Sequence, residues 1–430
     1  MQLNGRDERY ASASYSSISI PFSGSTGDDK DLALRPSQLL QGKVHKPWLE
    51  KRDWRVKASW WITVLTALAG VGASIAVCIL GYRSVPMIES NLCPVLDDDF
   101  NTFDTVNTWH QEVDMSGYGN GEFEMTTNSP NNSYVKDGML YILPTLTSDV
   151  IGVANVFDAF TYNVTGCTNT NSSNGCGAVS NATAGTVINP VMSARITTQF
   201  SVNITYGKVE IRAKLPKGYV LWPALWMLPV DNVYGPWPMS GEIDLVEARG
   251  NPTSYPFEPI NWIRSTLNWG PTISLNRAFK TFGLWNNRRG NFGNEFHVYT
   301  MEWTDTFLRI YMDNRLEKTL DVRFNTPFFA RGDFPAQVTN KTETIPLENP
   351  WAGRGNAAPF DQKFFLIMNV AVGGTNGWFP DNIGGKPWLD GSQTAMRDFA
   401  LAQDQWYPTW PADPEDRAMV VDYVKMWQTC

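Results

Sequence analysis

Residues 58–82 run for 25 positions without a single Asp, Glu, Lys or Arg. At 1.5 Å per residue such a helix reaches roughly 37 Å, enough to cross a hydrocarbon core of about 30 Å with some tilt. It has no polar face, so it does not read as the half-buried helix of a soluble core. It is too long and starts too late for a cleaved signal peptide. Trp60, Trp61 and Tyr82 stand at its ends, where interfacial aromatics anchor a span. Six Lys or Arg crowd residues 43–57, and only Arg83 follows closely. The excess of positive charge on the N-terminal side predicts a single-pass type II signal anchor, with the N-terminus cytosolic and everything beyond the span lumenal or extracellular.

The chain therefore divides into a disordered cytosolic tail over 1–57, rich in Ser, Gly and charge, the span over 58–82, a linker over 83–94, and one large domain over 95–430. The domain carries features of the secretory pathway. Six N-x-S/T sequons fall in it, at Asn131, Asn163, Asn171, Asn181, Asn203 and Asn340. Cys78 lies in the span, and the other four cysteines form an even set, as disulfides require. Cys167 and Cys176 bracket an Asn/Ser/Gly loop and are paired on that ground, which leaves Cys93 for Cys430. Four cysteines allow three connectivities, so the pairing is an expectation. The net charge of −8 gives no sign of a nucleic-acid partner. The three His residues stand at no metal-ligand spacing, and no phosphate-binding loop or Ser-His-Asp arrangement stands out.

Beyond residue 95 the hydrophobic period is that of strands. In KVEIRAK (208–214) Val209, Ile211 and Ala213 alternate with Glu210, Arg212 and Lys214, a half-buried strand with one wet face. Similar runs recur at 139–146, 296–303, 306–313, 363–372 and 418–427, split by Gly/Pro/Asn turns, while residues 393–403 hold the best helical candidate. The expected fold is an all-β sandwich. Residues 161–186 and 326–358 read as insertions over or beside a cleft.

The stretch SGEIDLVEARGN (240–251) carries the chemistry. On a strand Glu242 and Asp244 point the same way, and Glu247, three residues further on, points the other way. One β-bulge between Asp244 and Glu247 would return it to the same face. Three acids on one face repel one another, which catalysis can justify. Retaining glycosidases need an ionised nucleophilic carboxylate and a second, proton-carrying carboxyl about 5–5.5 Å away. Trp222, Trp226 and Trp237 surround the stretch, and the chain has 18 Trp in all. Indole faces pack against the C–H faces of sugar rings, although core packing is an equal use for Trp222 and Trp226.

WPALWMLP (222–229) followed by SGEIDLVEARGN resembles glycoside hydrolase family 16, in its endo-β-1,3-glucanase and β-1,3-glucan-recognition branch. STLNWGP (265–271), FHVYTMEW (296–303), PFDQKFFLIMNVAVGGTNGWFPD (359–381), DQWYPTWP (404–411) and DRAMVVDYVKMWQ (416–428) continue the resemblance in the same order. It implies a β-jelly roll of two curved antiparallel sheets. It implies that Glu242 is the nucleophile, Glu247 the acid/base and Asp244 their electrostatic partner, that no cofactor is needed for catalysis, and that the substrate is β-glucan. By the same resemblance Trp378 lines the glucan cleft. Asn268 stands where many members of the branch carry His, as a polar neighbour of sugar or carboxylate. Gly138 and Asp422 fall where some members hold a structural calcium. The expected function is retaining cleavage or transglycosylation of cell-wall β-1,3-glucan. A non-catalytic glucan-binding protein and a secretory-pathway factor in glucan assembly are the alternatives.

Overall fold

The computed structural model describes residues 42–50, 53–169, 172, 174–340 and 343–430. Residues 1–41 of the expected tail, the sequon at Asn171, and Lys341 and Thr342 of the sequon at Asn340 lie outside them. The chain forms two units, Met1–Ser84 and Val85–Cys430.

The first unit contains one long helix, Trp54–Ser84, whose side chains are buried nowhere. It is long and apolar enough to cross a membrane. It starts one turn before the uncharged run, because Asp53 Oδ1 accepts the backbone N–H of Arg55 at 2.9 Å and so satisfies one of the free donors of the first turn.

The second unit is a sandwich of two eight-stranded sheets, antiparallel throughout. One sheet runs in the order Phe282–Asn286, Trp262–Asn268, Glu242–Ala248, Leu221–Pro229, Phe364–Val372, Arg195–Thr197, His110–Glu112, with Asn203–Ile204 also on Phe364–Val372. The other runs Lys318–Arg323, Phe307–Met312, His297–Trp303, Gly207–Lys214, Met419–Thr429, Met139–Ile142, Ser133–Lys136, with Leu92–Asp98 also on Met419–Thr429. Gly207–Lys214 alternates buried and half-buried residues along its whole length, as its sequence requires. Phe364–Val372 is buried at every position, because one face meets the core and the other lies under the cleft. Val209, Ile211 and Met301 from one sheet meet Leu225, Ile243 and Leu366 from the other to form the core.

Two disulfides brace this unit. Cys93 is bonded to Cys430, which joins the first and last strands, and Cys167 to Cys176. The first strand begins at Leu92, so it takes in the last three residues of the 83–94 stretch; the ladder partners Leu92 with Thr429 and Cys93 with Gln428. Within 161–186 the second bridge closes the hairpin of Phe160–Asn163 and Gly177–Ser180, and Asn169 donates to Asp114 Oδ2 at 2.6 Å. Residues 326–358 form the short helix Phe328–Arg331 and the hairpin Gln337–Asn340 with Glu343–Pro346. They are pinned beside the 230–241 loop by Trp351, which donates to the carbonyl of Met239 at 2.8 Å. The helical candidate at 393–403 holds the helix Ala395–Leu401. Asn131, Asn163 and Asn181 are exposed, while Asn203 is half-buried in its short strand.

The expected calcium ligands do not form a site. Gly138 stands in the turn into Met139–Ile142 and has no side-chain oxygen, and the Asp422 carboxylate is ion-paired with the guanidinium of Arg212. That cation already neutralises the one carboxylate of the pair. Among the described residues no group of three or more His, Cys, Asp or Glu could hold a metal. A hard cation wants about six oxygens or more, and these two residues do not fit it.

Candidate active site

Glu242–Ala248 lies between Leu221–Pro229 and Trp262–Asn268. Against the second of these, Asp244 stands opposite Thr266 but Glu247 opposite Arg264, three steps on one strand against two on the other. Against the first, Asp244 faces Trp226 and Val246 faces Leu225. The strand thus carries one extra residue, and both Leu245 and Val246 turn into the core. The bulge restores Glu247 to the outer face, and all three carboxylates line one cleft of about 610 Å³.

The two glutamates each receive an indole N–H, and Asp244 shares an amide donor with Glu242. Trp237 Nε1 reaches Glu242 Oε2 at 3.0 Å, and Trp222 Nε1 reaches Glu247 Oε1 at 3.2 Å. The Asn268 amide donates to Glu242 Oε1 and Asp244 Oδ2, at 2.8 Å each, while Asn276 donates to its carbonyl oxygen and fixes its orientation. Burial pushes Glu242 up to about 7, with the charge of Glu247 adding to it and the N–H of Trp237 opposing it. Burial likewise pushes Glu247 up to about 7, against the opposing charge of Arg264 and the hydrogen bond from Trp222. Asp244 goes well above the usual carboxylate range, through burial first and then the charges of Glu242 and Glu247. Burial and the two neighbouring charges thus favour the protonated form of Asp244 beside Glu242. Glu242 receives two donors, Trp237 and Asn268, and Glu247 one, Trp222, so the hydrogen bonds favour the anionic form more at Glu242.

Trp222 and Trp226 both line the cleft. Asn268 sits behind the carboxylates and serves them directly. Trp378 departs from expectation. One face of its ring stacks on Trp222, with centroids 4.8 Å apart and planes 12° apart. The Arg249 guanidinium lies over the same ring at 4.0 Å, so Trp378 backs Trp222 and is not among the residues that line the cleft. Other cleft residues come from distant segments. The Arg195 guanidinium lies between the rings of Tyr118, at 4.1 Å, and Trp226, at 4.7 Å, and pairs with Glu112 at 2.8 Å. Trp226 donates to Asn369 Oδ1 at 2.8 Å, and Asn369 stands beside Arg195 in the ladder. Tyr118, Asn120 and Glu122 line one part of the cleft. Sequence reasoning named neither Arg195 nor these three, since they stand in no local pattern. The one available signal was a lone charge in the otherwise uncharged run VMSARITTQF (191–200).

Residues 164–355 match the family model "Glycosyl hydrolases family 16". The chain is 40% identical over 378 residues to a "Beta-1,3-glucan-binding protein" of Penaeus monodon, covering 84% of this chain and 98% of that one. It is 33% identical over 294 residues to "Glucan endo-1,3-beta-glucosidase A1" of Niallia circulans, covering 65% of this chain and 34% of that protein's length. Among solved structures, the laminarinase from Rhodothermus marinus is 26% identical, with a TM-score of 0.48 over 80% of this chain and 99% of that one. With its sandwich and its carboxylate-lined cleft, the chain belongs to glycosyl hydrolase family 16.

Proposed function

We propose that this protein is a membrane-anchored endo-glycosidase that cleaves β-1,3-glucan with retention at the anomeric carbon, and that can pass the glycosyl group to a sugar hydroxyl as well as to water. The observation that carries this reading is the bulge that sets Glu242, Asp244 and Glu247 side by side in one cleft. In the first step the Glu242 carboxylate attacks the anomeric carbon. The bond to the leaving oxygen breaks, and Glu247 gives that oxygen its proton. The negative charge of Glu242 is consumed in the ester, and Asp244 follows the change through its shared proton. In the second step Glu247, now a carboxylate, takes a proton from water or a sugar hydroxyl. That oxygen attacks the anomeric carbon, and Glu242 leaves as carboxylate. Trp222 and Trp226 offer ring surface to the glucan, and Asn268 holds the two acids nearest the nucleophilic position.

The words β-1,3-glucan in the names of the Penaeus monodon and, as endo-1,3-beta-glucosidase, the Niallia circulans relatives support the substrate class. The uncharged helix, the basic flank before it and the two disulfides support a type II anchor with the domain outside the cytosol. A second reading, a glucan receptor without turnover, is favoured by the name of the 40% identical relative. One experiment separates them. Full-length protein in detergent is incubated with laminarin, and products are resolved by mass spectrometry. Shortened chains, with or without chains longer than the substrate, support the enzyme. Binding without any change in chain length supports the receptor and overturns the proposal.

A further inference from the structure

Glu247 is opposed across the strands by a cation. Arg264 is its ladder partner on Trp262–Asn268, and directly opposed opposite charges on one face of a sheet ordinarily pair. Here they do not. Arg264 Nη2 instead lies 2.5 Å from Glu258 Oε1. The other oxygen of Glu258 holds a second arginine, Arg249, two residues after Glu247, at 2.8 Å. The side chain of Glu258 is 12% exposed and that of Arg249 is 2% exposed, so this is a desolvated cluster in which a lost partner matters. The backbone of Glu258 stands at φ 46°, a left-handed conformation that a non-glycine residue seldom adopts.

We propose that Glu258 is a positioning residue that draws Arg264 and Arg249 away from Glu247 and thereby keeps Glu247 able to hold the proton it must donate; this rests on the reading of Glu247 as the acid/base. An arginine seated on Glu247 would lock it as a carboxylate and remove the acid from the first step. The remaining surroundings of Glu247 supply no substitute. Its own strand brings the carboxyls of Glu242 and Asp244 and the cation Arg249, which Glu258 and the Trp378 carbonyl already occupy. The strand on the other side brings only Ala224 opposite and the N–H of Trp222. Besides burial, the charges of Arg264 and Arg249 draw protons off Glu247, and the charge of Glu258 works against them.

The test is the pH profile of kcat/KM on laminarin for full-length wild type, Glu258→Gln, Arg264→Met and the double variant. Freed from Glu258, Arg264 pairs with Glu247, so the alkaline limb moves down by about one to two pH units in Glu258→Gln. Arg264→Met moves the same limb up, and the double variant restores it to within about half a unit of wild type. An aryl β-glucoside of good leaving ability, which needs no proton, loses less than threefold in Glu258→Gln where laminarin at pH 7 loses tenfold or more. If Glu258→Gln does not fold, Glu258→Asp, whose shorter arm moves the carboxylate off Arg264, is read in its place and moves the limb down; a limb that stays in place overturns the role of Glu258. Limbs that stay in place in active, folded variants overturn the role of Glu258 and leave the enzyme reading intact. A wild type without turnover overturns the reading beneath it, and this proposal with it.

Discussion

The indole N–H of Trp222 donates to Glu247 Oε1 at 3.2 Å, from the strand beside it. This contact stabilises the carboxylate form of Glu247, so its removal must raise the proton affinity. In Trp222→Phe the alkaline limb of the pH profile moves up by less than about one unit, and laminarin binding weakens because the stacked Trp222–Trp378 pair is disturbed. A limb that moves down would show that Trp222 does not touch the acid.

Asn268 serves two buried carboxyls with one amide. Asn268→Ala leaves both without that donor, which costs about 1–3 kcal/mol of stability by the usual penalty for an unmet buried group. Turnover falls roughly a hundredfold through misplacement of Glu242. Thermal melting and initial rates at pH 6 check the two effects separately.

Raised carboxyl affinities also set how stability depends on pH. Glu242 and Glu247 have folded values pushed up to about 7, above the ordinary 4.5. Between those values the folded state binds more protons than the unfolded one. Their stabilising protonation is complete below about 4.5 and is lost as pH rises through 7. The melting temperature of wild type therefore falls from pH 5 to pH 8 by more than that of Glu247→Gln, which carries no charge to bury. The variant melts above wild type at pH 8. Equal slopes in the two proteins would contradict the burial of this charge.

The bridge from Cys93 to Cys430 spans 337 residues of sequence and ties the first strand to the last. Closing so long a loop stabilises by up to about 5 kcal/mol in chain-entropy terms. Cys93→Ser combined with Cys430→Ser lowers the melting temperature, while the same change at Cys167 and Cys176, nine residues apart, lowers it less. Non-reducing peptide mapping reads the pairing itself.

Sandwich architecture was legible because its cause is local: alternation in 208–214 and long apolar runs such as 364–372, interrupted by Asn369 alone, are what two packed sheets demand. The trio was legible for the same reason, since only an extra residue between Asp244 and Glu247 reconciles their spacing with one face. Leu245 and Val246, both apolar, are its visible trace. What could not be read depends on contacts far apart in the chain. Arg195 reaches the cleft through Phe364–Val372, its neighbour in the sheet, and its partner Glu112 stands 83 positions earlier. Trp378 and Asp422 were placed by motif, but Arg249 lies over the one and Arg212 pairs with the other, and no local pattern announces which arginine meets which partner.

Membrane orientation has its own check. In right-side-out vesicles, added protease removes the 85–430 unit and spares an epitope placed within 1–57, and glycosidase digestion shifts the mass through sugars at exposed Asn131, Asn163 and Asn181. Protection of the large unit would reverse the topology.

The division of labour between Glu242 and Glu247 is tested most directly by azide rescue. Glu247→Ala is given an aryl β-glucoside that needs no proton, so the covalent intermediate on Glu242 forms and waits for a nucleophile. Azide, which needs no general base, then releases a glycosyl azide of retained configuration. In Glu242→Ala azide takes the vacant place of the nucleophile and the product is inverted. Nuclear magnetic resonance of the anomeric proton reads both outcomes. Retention with Glu247→Ala and inversion with Glu242→Ala is the result the account predicts; the opposite assignment, or no azide product from either variant of an active wild type, contradicts it.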